Sequence, residues 1–275
     1  MLGRRRGIQV KTPEQILVMR AAGLVVHAAL TEVVAAAKPG VTTAALDALA
    51  HTVIRDAGAT PSFLGYYDYP ATLCISVNDE IVHGIPGQRV LAEGDVVGID
   101  CGAIVDGWHG DSAVTVSVGM VSASGVALIE VTRQAMWRGL AMAKAGNRIG
   151  DISATVQAHV QAAGPYGLVT EYVGHGIGTE MHQEPSVPNL GRAGKGPKLE
   201  VGMCIAIEPM VTLGSAANHV LEDEWTVVTD DGSPAAHWEH TVAITANGPW
   251  VLTAADGGAA ELTALGVATP AAGQR

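Results

Sequence analysis

The sequence predicts an α+β fold built from two similar halves of about 110 residues packed as one domain, and three observations predict it. A unit opening Ala-Lys-x-Gly occurs twice, as AKPGVTTAALDALAHTVIRDAG from Ala37 to Gly58 and as AKAGNRIGDISATVQAHVQAAG from Ala143 to Gly164. Each half then closes an apolar strand on an acid at the same distance from a glycine, LAEGDVVGID at Asp100 and LEVGMCIAIE at Glu208. Between helix and strand each half also carries His-Gly-Ile, at His83 and at His175. Chance supplies any one of these matches. Their shared order points to a duplicated chain with pseudo-twofold symmetry.

The elements follow in order. A first helix is expected from about Thr12 through AAGLVVHAALTEVVAAA, and the apolar spacing after the Gly40 turn suits a second. VVGIDCGAIV (Val96 to Val105) and SAVTVSV (Ser112 to Val118) are short, β-branched strands, and Asp106-Gly107 between them is a strong hairpin-turn dipeptide. If those two residues form the turn, Val105 faces Trp108 and Gly102 faces Asp111. Asp100 then lies two residues along from Gly102, so both carboxylates share one face as diagonal neighbours ~7–8 Å apart at Cα. In the second half VALIEVTRQAMWRGLAMA matches the first helix in character, the repeat from Ala143 supplies another, and CIAIEPMV and HWEHTVAIT read as strands. The expected organisation is an N-terminal arm (1–11), one domain (12–254, halves 12–120 and 121–254) and a flexible Ala/Gly-rich tail (255–275).

Composition narrows the function. Hydrophobic residues make up 48% of the 275 and aromatic ones only 4%, so Ala, Val, Leu and Ile must fill the core. A formal net charge of −11 argues against direct nucleic-acid binding; the run Arg4-Arg5-Arg6 is too short to reverse that. No apolar run approaches the ~18 residues of a membrane span, so no membrane partner is expected, and the start lacks the apolar core of a signal peptide. Three cysteines, Cys74, Cys101 and Cys204, have no paired spacing. They read as free thiols of a reducing, cytoplasmic compartment.

The duplication makes the chemistry legible. Asp100 and Asp111 come from the first half, Glu208 and Glu239 from the second. On its own the aspartate pair also suits a solvated sheet edge. Both glutamates, however, interrupt strand-like apolar runs, where a lone ionised carboxylate is costly to bury. The nearest basic residues in sequence, Arg89, Lys195 and Lys198, sit in turn-like segments. Metal ions are the better counter-charge. His175, in the glycine-rich EYVGHGIGTEMHQEP, offers a nitrogen ligand, although a lone histidine is as readily a structural hydrogen-bonder. Four carboxylates and one imidazole suit a pair of divalent ions ~3.5–4 Å apart. Histidines 27, 51, 109, 159, 219, 237 and 240 have no such company and are expected to be structural or exposed.

These residues, in this order and in the contexts HGIP, GHGIG, IEPM and WEHT, resemble the methionine aminopeptidases over most of the chain, from about Lys11 to about Thr253. The short stretch between His182 and Glu208 leaves no room for the helical insertion of the type II form, so the likeness is to type I. The resemblance implies the pita-bread fold, an antiparallel sheet curved around the site with two helix pairs outside. It implies that Asp100, Asp111, His175, Glu208 and Glu239 ligate two divalent metal ions per chain (Co, Mn, Fe or Zn). It further implies that Glu208 takes the proton of the attacking water, that His182 stabilises the oxyanion, and that His83 meets the scissile amide nitrogen. Tyr66, Tyr69, Cys74, Met181 and Trp225 are then the methionine slot, with Phe63 at its edge; Met181 stands where an aromatic residue is common. The substrates implied are N-terminal peptides of nascent chains whose second residue is small. A monomer with transient ribosome contact is expected.

Three rivals are set against this reading. A prolidase-like peptidase would share the metals but demand proline after the scissile bond. A dimetal phosphoesterase would need a cation beside the ligands to hold phosphate. A non-catalytic relative would be expected to lack a ligand, and all five are present.

Overall fold

The structure, a computed structural model, describes residues 7–270. The first half contributes α1 (Pro13–Ala36), α2 (Thr43–Asp56), β1 (Thr60–Pro61), β2 (Leu73–Val77), β3 (Glu80–Val82), β4 (Val96–Val105) and β5 (Trp108–Ser117). The second contributes α3 (Ala123–Ala141), α4 (Ile149–Ala163), β6 (Gly167–Leu168), β7 (Gly174–Gly176), β8 (Gln183–Val187), β9 (Cys204–Ile207) and β10 (Met210–Thr212). It continues with β11 (Asn218–Val220), β12 (Val227–Thr229), β13 (Ala235–His237), β14 (His240–Thr245), β15 (Gly248–Val251) and α5 (Ala259–Ala264).

Every strand pair is antiparallel, and the ladders form four sheets: β4 with β1, β2 and β5; β13-β10-β6; β11-β12-β3; and β15-β14-β9-β7-β8. Helices pair as α1 with α2 and α3 with α4, and each pair has its own apolar core against the sheets. The antiparallel strands and two helix pairs are those that the sequence led us to expect, with the ladders divided among four sheets. Duplication shows in the backbone too: Gly40 and Gly146, one at each repeat, both take a positive φ, at 92° and 96°, a conformation that suits glycine.

Local chemistry explains the elements. Thr12 accepts a hydrogen bond from the Gln15 amide while the Gln15 side chain accepts one from the Thr12 amide, a capping box with Pro13 at the first helical turn. Ile16, Met19, Ala22, Val26, Ala29 and Val33 of α1 fall on one buried stripe. That helix is long and apolar enough to cross a bilayer, which the reading of apolar runs did not credit; here its stripe packs on β4 and β5. The contact is at backbone range, since a Cβ on Gly110 would lie 2.7 Å from the Gly23 amide nitrogen.

The β4–β5 hairpin has the expected register. Asp106 and Gly107 form the turn with φ of 47° and 79°, the sense that matches strand twist, and Val105 faces Trp108 while Gly102 faces Asp111. The two chain ends both meet the second-half core. In the described part of the arm, Ile8 packs against the second-half core and Lys11 is buried, while Val10 is exposed. The expected flexible tail is ordered through 270: α5 forms, and Leu262 and Val267 enter the same core. Composition misled here, because two apolar side chains suffice to anchor an Ala/Gly-rich segment. Residues 1–6 and 271–275, the rest of arm and tail, lie outside the described residues.

Candidate metal centre and substrate cavity

Both halves deliver acids to one cavity. Asp100 sits mid-way along β4, paired with Cys74 on one side and Ala113 on the other, and Asp111 follows on β5. His175 is the central residue of β7, Glu208 directly follows β9, and Glu239 lies between β13 and β14. The halves are laced together at these residues. Glu239 and Ala113 exchange backbone hydrogen bonds (2.9 and 3.3 Å). The Thr241 hydroxyl donates to the Asp111 carbonyl (2.8 Å) and accepts from its amide (3.1 Å). The Ser112 hydroxyl donates to the Glu239 carbonyl at 2.7 Å.

The resulting cluster is buried and short of positive charge. Asp111, His175 and Glu239 each offer a ligand atom within 4.8 Å of the others. His175 Nε2 lies 3.8 Å from Asp111 Oδ2 and 3.5 Å from Glu208 Oε1. Among the described residues no lysine or arginine lines the cavity. Burial therefore raises every carboxyl: Asp100 to about 7, Glu208 to about 8, Asp111 and Glu239 well above the ordinary range, with the neighbouring acids adding to the rise at Asp100, Asp111 and Glu239. Burial also lowers His175 to about 3, holding it neutral with a lone pair to give. Its Nδ1 faces the Gly176 carbonyl at 3.0 Å, which leaves Nε2 toward the acids.

These donors fit divalent cations. Asp100 Oδ1, Asp111 Oδ1 and Glu239 Oε1 are buried without a hydrogen-bond partner, an arrangement that costs free energy unless a cation or a proton meets them. Oxygen donors with one imidazole are the set expected of such ions.

The cavity above the acids holds about 140 Å³ and is lined by Phe63, Tyr66, Tyr69, Cys74, Met181 and Trp225, together with His83 and His182. All the residues singled out from the sequence thus meet in one place. Phe63, Tyr69, Cys74 and Met181 form a small apolar cluster, with Tyr66 and Trp225 packed against it. Tyr69 is held by its hydroxyl, which donates to the Leu73 and Gly84 carbonyls (3.0 and 3.1 Å), and its ring meets Trp225 edge-on at 4.9 Å. His83 adopts a positive φ of 61°, and burial lowers it to about 4. A second, open groove of about 720 Å³ reaches the same His175 and His182 from outside.

Two lining residues were not anticipated, Val82 and His237. His237 is a correction: it was grouped with the structural histidines, yet it is buried in the site with Nε2 3.4 Å from Glu208 Oε2 and no hydrogen-bond partner. Its place two residues before Glu239 was the available signal, because a period of two puts both on one face. Of the others, buried His109 meets the Ser62 hydroxyl at 3.0 Å and half-buried His240 the Thr253 hydroxyl at 2.7 Å. All three cysteines are free and buried.

Comparison with known proteins bears on this arrangement. The model of metallopeptidase family M24 matches residues 18–246. Methionine aminopeptidase 1 of Mycobacterium tuberculosis is 51% identical over 255 residues, covering 90% of this chain and 96% of the relative. Methionine aminopeptidase 1 of Bacillus subtilis is 47% identical over 243 residues, covering 88% and 98%. Among solved structures, a methionine aminopeptidase of Thermotoga maritima superposes with a TM-score of 0.88 at 43% identity, covering 90% of this chain and 99% of that one. A prolidase of Pyrococcus furiosus, at 23% identity and a TM-score of 0.73, shares the fold.

Proposed function

From the premise that the chain belongs to metallopeptidase family M24, and within it to the type I methionine aminopeptidases, we propose that it removes the initiator methionine of nascent proteins whose second residue is small, with two divalent ions at the acid cluster. The observation that carries this reading is the set of four carboxyls, Asp111 and Glu239 buried and Asp100 and Glu208 partly so, with a neutral imidazole and, among the described residues, no lysine or arginine, beneath a cavity with an aromatic and thioether lining.

Asp100, Asp111, His175, Glu208 and Glu239 would hold the ions. Such ions supply Lewis acidity toward a carbonyl and make water a nucleophile near neutral pH. The remaining roles belong to this chain's own side chains. The aromatic and thioether lining accepts the methionine side chain, whose flexible thioether suits an irregular apolar slot. Glu208 takes the proton of the attacking water, His182 donates to the substrate carbonyl oxygen, and His83 faces the scissile amide nitrogen. A bulky second residue would collide with the rim near His83 and His182 and move the carbonyl, and a ~1 Å misplacement can cost ~10²-fold in rate. The three buried free thiols support a cytoplasmic enzyme.

Metal reconstitution of the apo-protein tests the reading. Titrated with Co, Mn, Fe or Zn, it is expected to gain activity on Met-Ala-Ser with a break near two ions per chain, and to leave Met-Leu-Ser uncleaved. Saturation at one ion, or equal rates on the two peptides, would overturn the dinuclear or the steric part respectively.

A further inference from the structure

The Tyr66 hydroxyl stands 2.8 Å from Nδ1 of His182, a contact between residues of opposite halves that bridges the cavity mouth. Tyr66 is held to that position from below and behind. It follows Gly65, whose positive φ of 84° turns the chain, and its amide donates to the Phe63 carbonyl at 2.9 Å while its carbonyl accepts from the Tyr69 amide at 3.0 Å. Tyr67 and Asp68 after it both sit at positive φ, 47° and 67°, a conformation uncommon for such residues and one that surrounding structure must enforce. Tyr67 is 79% exposed, and its ring meets Tyr66 edge-on at 4.7 Å. On the far side, the His182 ring lies 4.3 Å from that of His175. The phenol is thus fixed between an exposed ring and the histidine that overhangs the metal centre.

We propose that Tyr66 is a positioning residue that selects the tautomer of His182. A neutral imidazole has one donor and one acceptor nitrogen. A substrate carbonyl oxygen offers only lone pairs, so His182 assists it only with a proton on the nitrogen that faces it. Nδ1 is taken by Tyr66. A phenol O–H that donates to Nδ1 leaves the proton on Nε2, the nitrogen free to meet the substrate; the reverse tautomer presents a lone pair to the carbonyl oxygen and repels it. Tyr66 therefore does more than line the methionine slot. It sets which way the oxyanion donor points.

The inference rests on the reading of His182 as the carbonyl's partner, and the experiment separates the two. Tyr66→Phe keeps the ring and removes the hydroxyl. On Met-Ala-Ser it is expected to lower kcat about tenfold, the scale of a misdirected acid–base group, with KM within about twofold. Added to His182→Ala it should cost nothing further. In the zinc-loaded and metal-free proteins, ¹⁵N spectra of the ring should show His182 protonated at Nε2, and Tyr66→Phe should shift it to a mixture of tautomers. Wild-type turnover in His182→Ala overturns the reading beneath the proposal. A loss in His182→Ala with none in Tyr66→Phe, an unchanged tautomer in Tyr66→Phe, or fully multiplicative losses in the double variant overturn the proposal alone.

Discussion

His175 Nε2 and Asp111 Oδ2 lie 3.8 Å apart although they belong to opposite halves of the chain. Neither half holds the acid cluster alone. Its geometry depends on the same contacts that join the halves, above all the Glu239–Ala113 backbone pair and the Thr241–Asp111 exchange.

Loss of a single ligand should therefore unsettle the whole centre. Asp100→Asn, His175→Ala and Glu239→Gln are each expected to remove most activity and to lower metal retained after gel filtration, since each removes a donor from the proposed metal site. Elemental analysis beside the peptide assay checks this. Full metal content with near-wild-type turnover in any one of them would refute its assignment.

His182→Ala should behave otherwise. It removes a proposed transition-state contact and no ligand, so kcat on Met-Ala-Ser should fall by ~10²-fold with metal content unchanged. If metal is lost instead, His175 and His182 have been assigned the wrong way round.

The metal-free protein should lose stability as pH rises from 6.5 to 8. Burial raises Asp100 from 3.8 to about 7 and Glu208 from 4.5 to about 8. Unfolded carboxyls are ionised throughout that window while the folded site still holds protons. Stability from these groups is complete below the unfolded values and is lost as pH climbs through the folded ones. His175, lowered from 6.5 to about 3, is neutral in the folded state but half protonated at pH 6.5 when unfolded. Like the other histidines lowered by burial, it opposes the fall near pH 6.5 and no longer does so by pH 8. Thermal melts should show the metal-free midpoint falling across the window, and added metal raising it more at pH 8 than at 6.5. A flat metal-free profile would contradict the raised carboxyls.

Gly110→Ala should be a severe core lesion on the strand face opposite its neighbour Asp111. The new Cβ would sit 2.7 Å from the Gly23 nitrogen and 2.9 Å from its Cα, both helix backbone that cannot swing aside. Overpacking of this kind costs ~1–3 kcal/mol, and denaturant unfolding should report it. A neutral result would mean that α1 is not seated on β5 at this distance.

What the chain determined by itself is whatever is written within a few neighbouring residues. Asp106-Gly107 names its turn, and the turn sets the register that brings Gly102 opposite Asp111. The matched Ala-Lys-x-Gly units place Gly40 and Gly146 at equivalent turns, and the spacing of apolar residues marks α1 to α4. The five acid and histidine positions were legible as well, because carboxylates in apolar strands need a counter-charge that no nearby residue supplies. Tertiary structure alone decided the rest. It folded residues 255–270 onto the second-half core through Leu262 and Val267, brought His237 to Glu208, and set the Tyr66 hydroxyl against His182. Each of these joins residues from different elements, and the last does so through the packing of one half on the other. Periodicity and turn chemistry act over one turn or one strand, whereas which face meets which is settled only when apolar surface is buried across the whole domain.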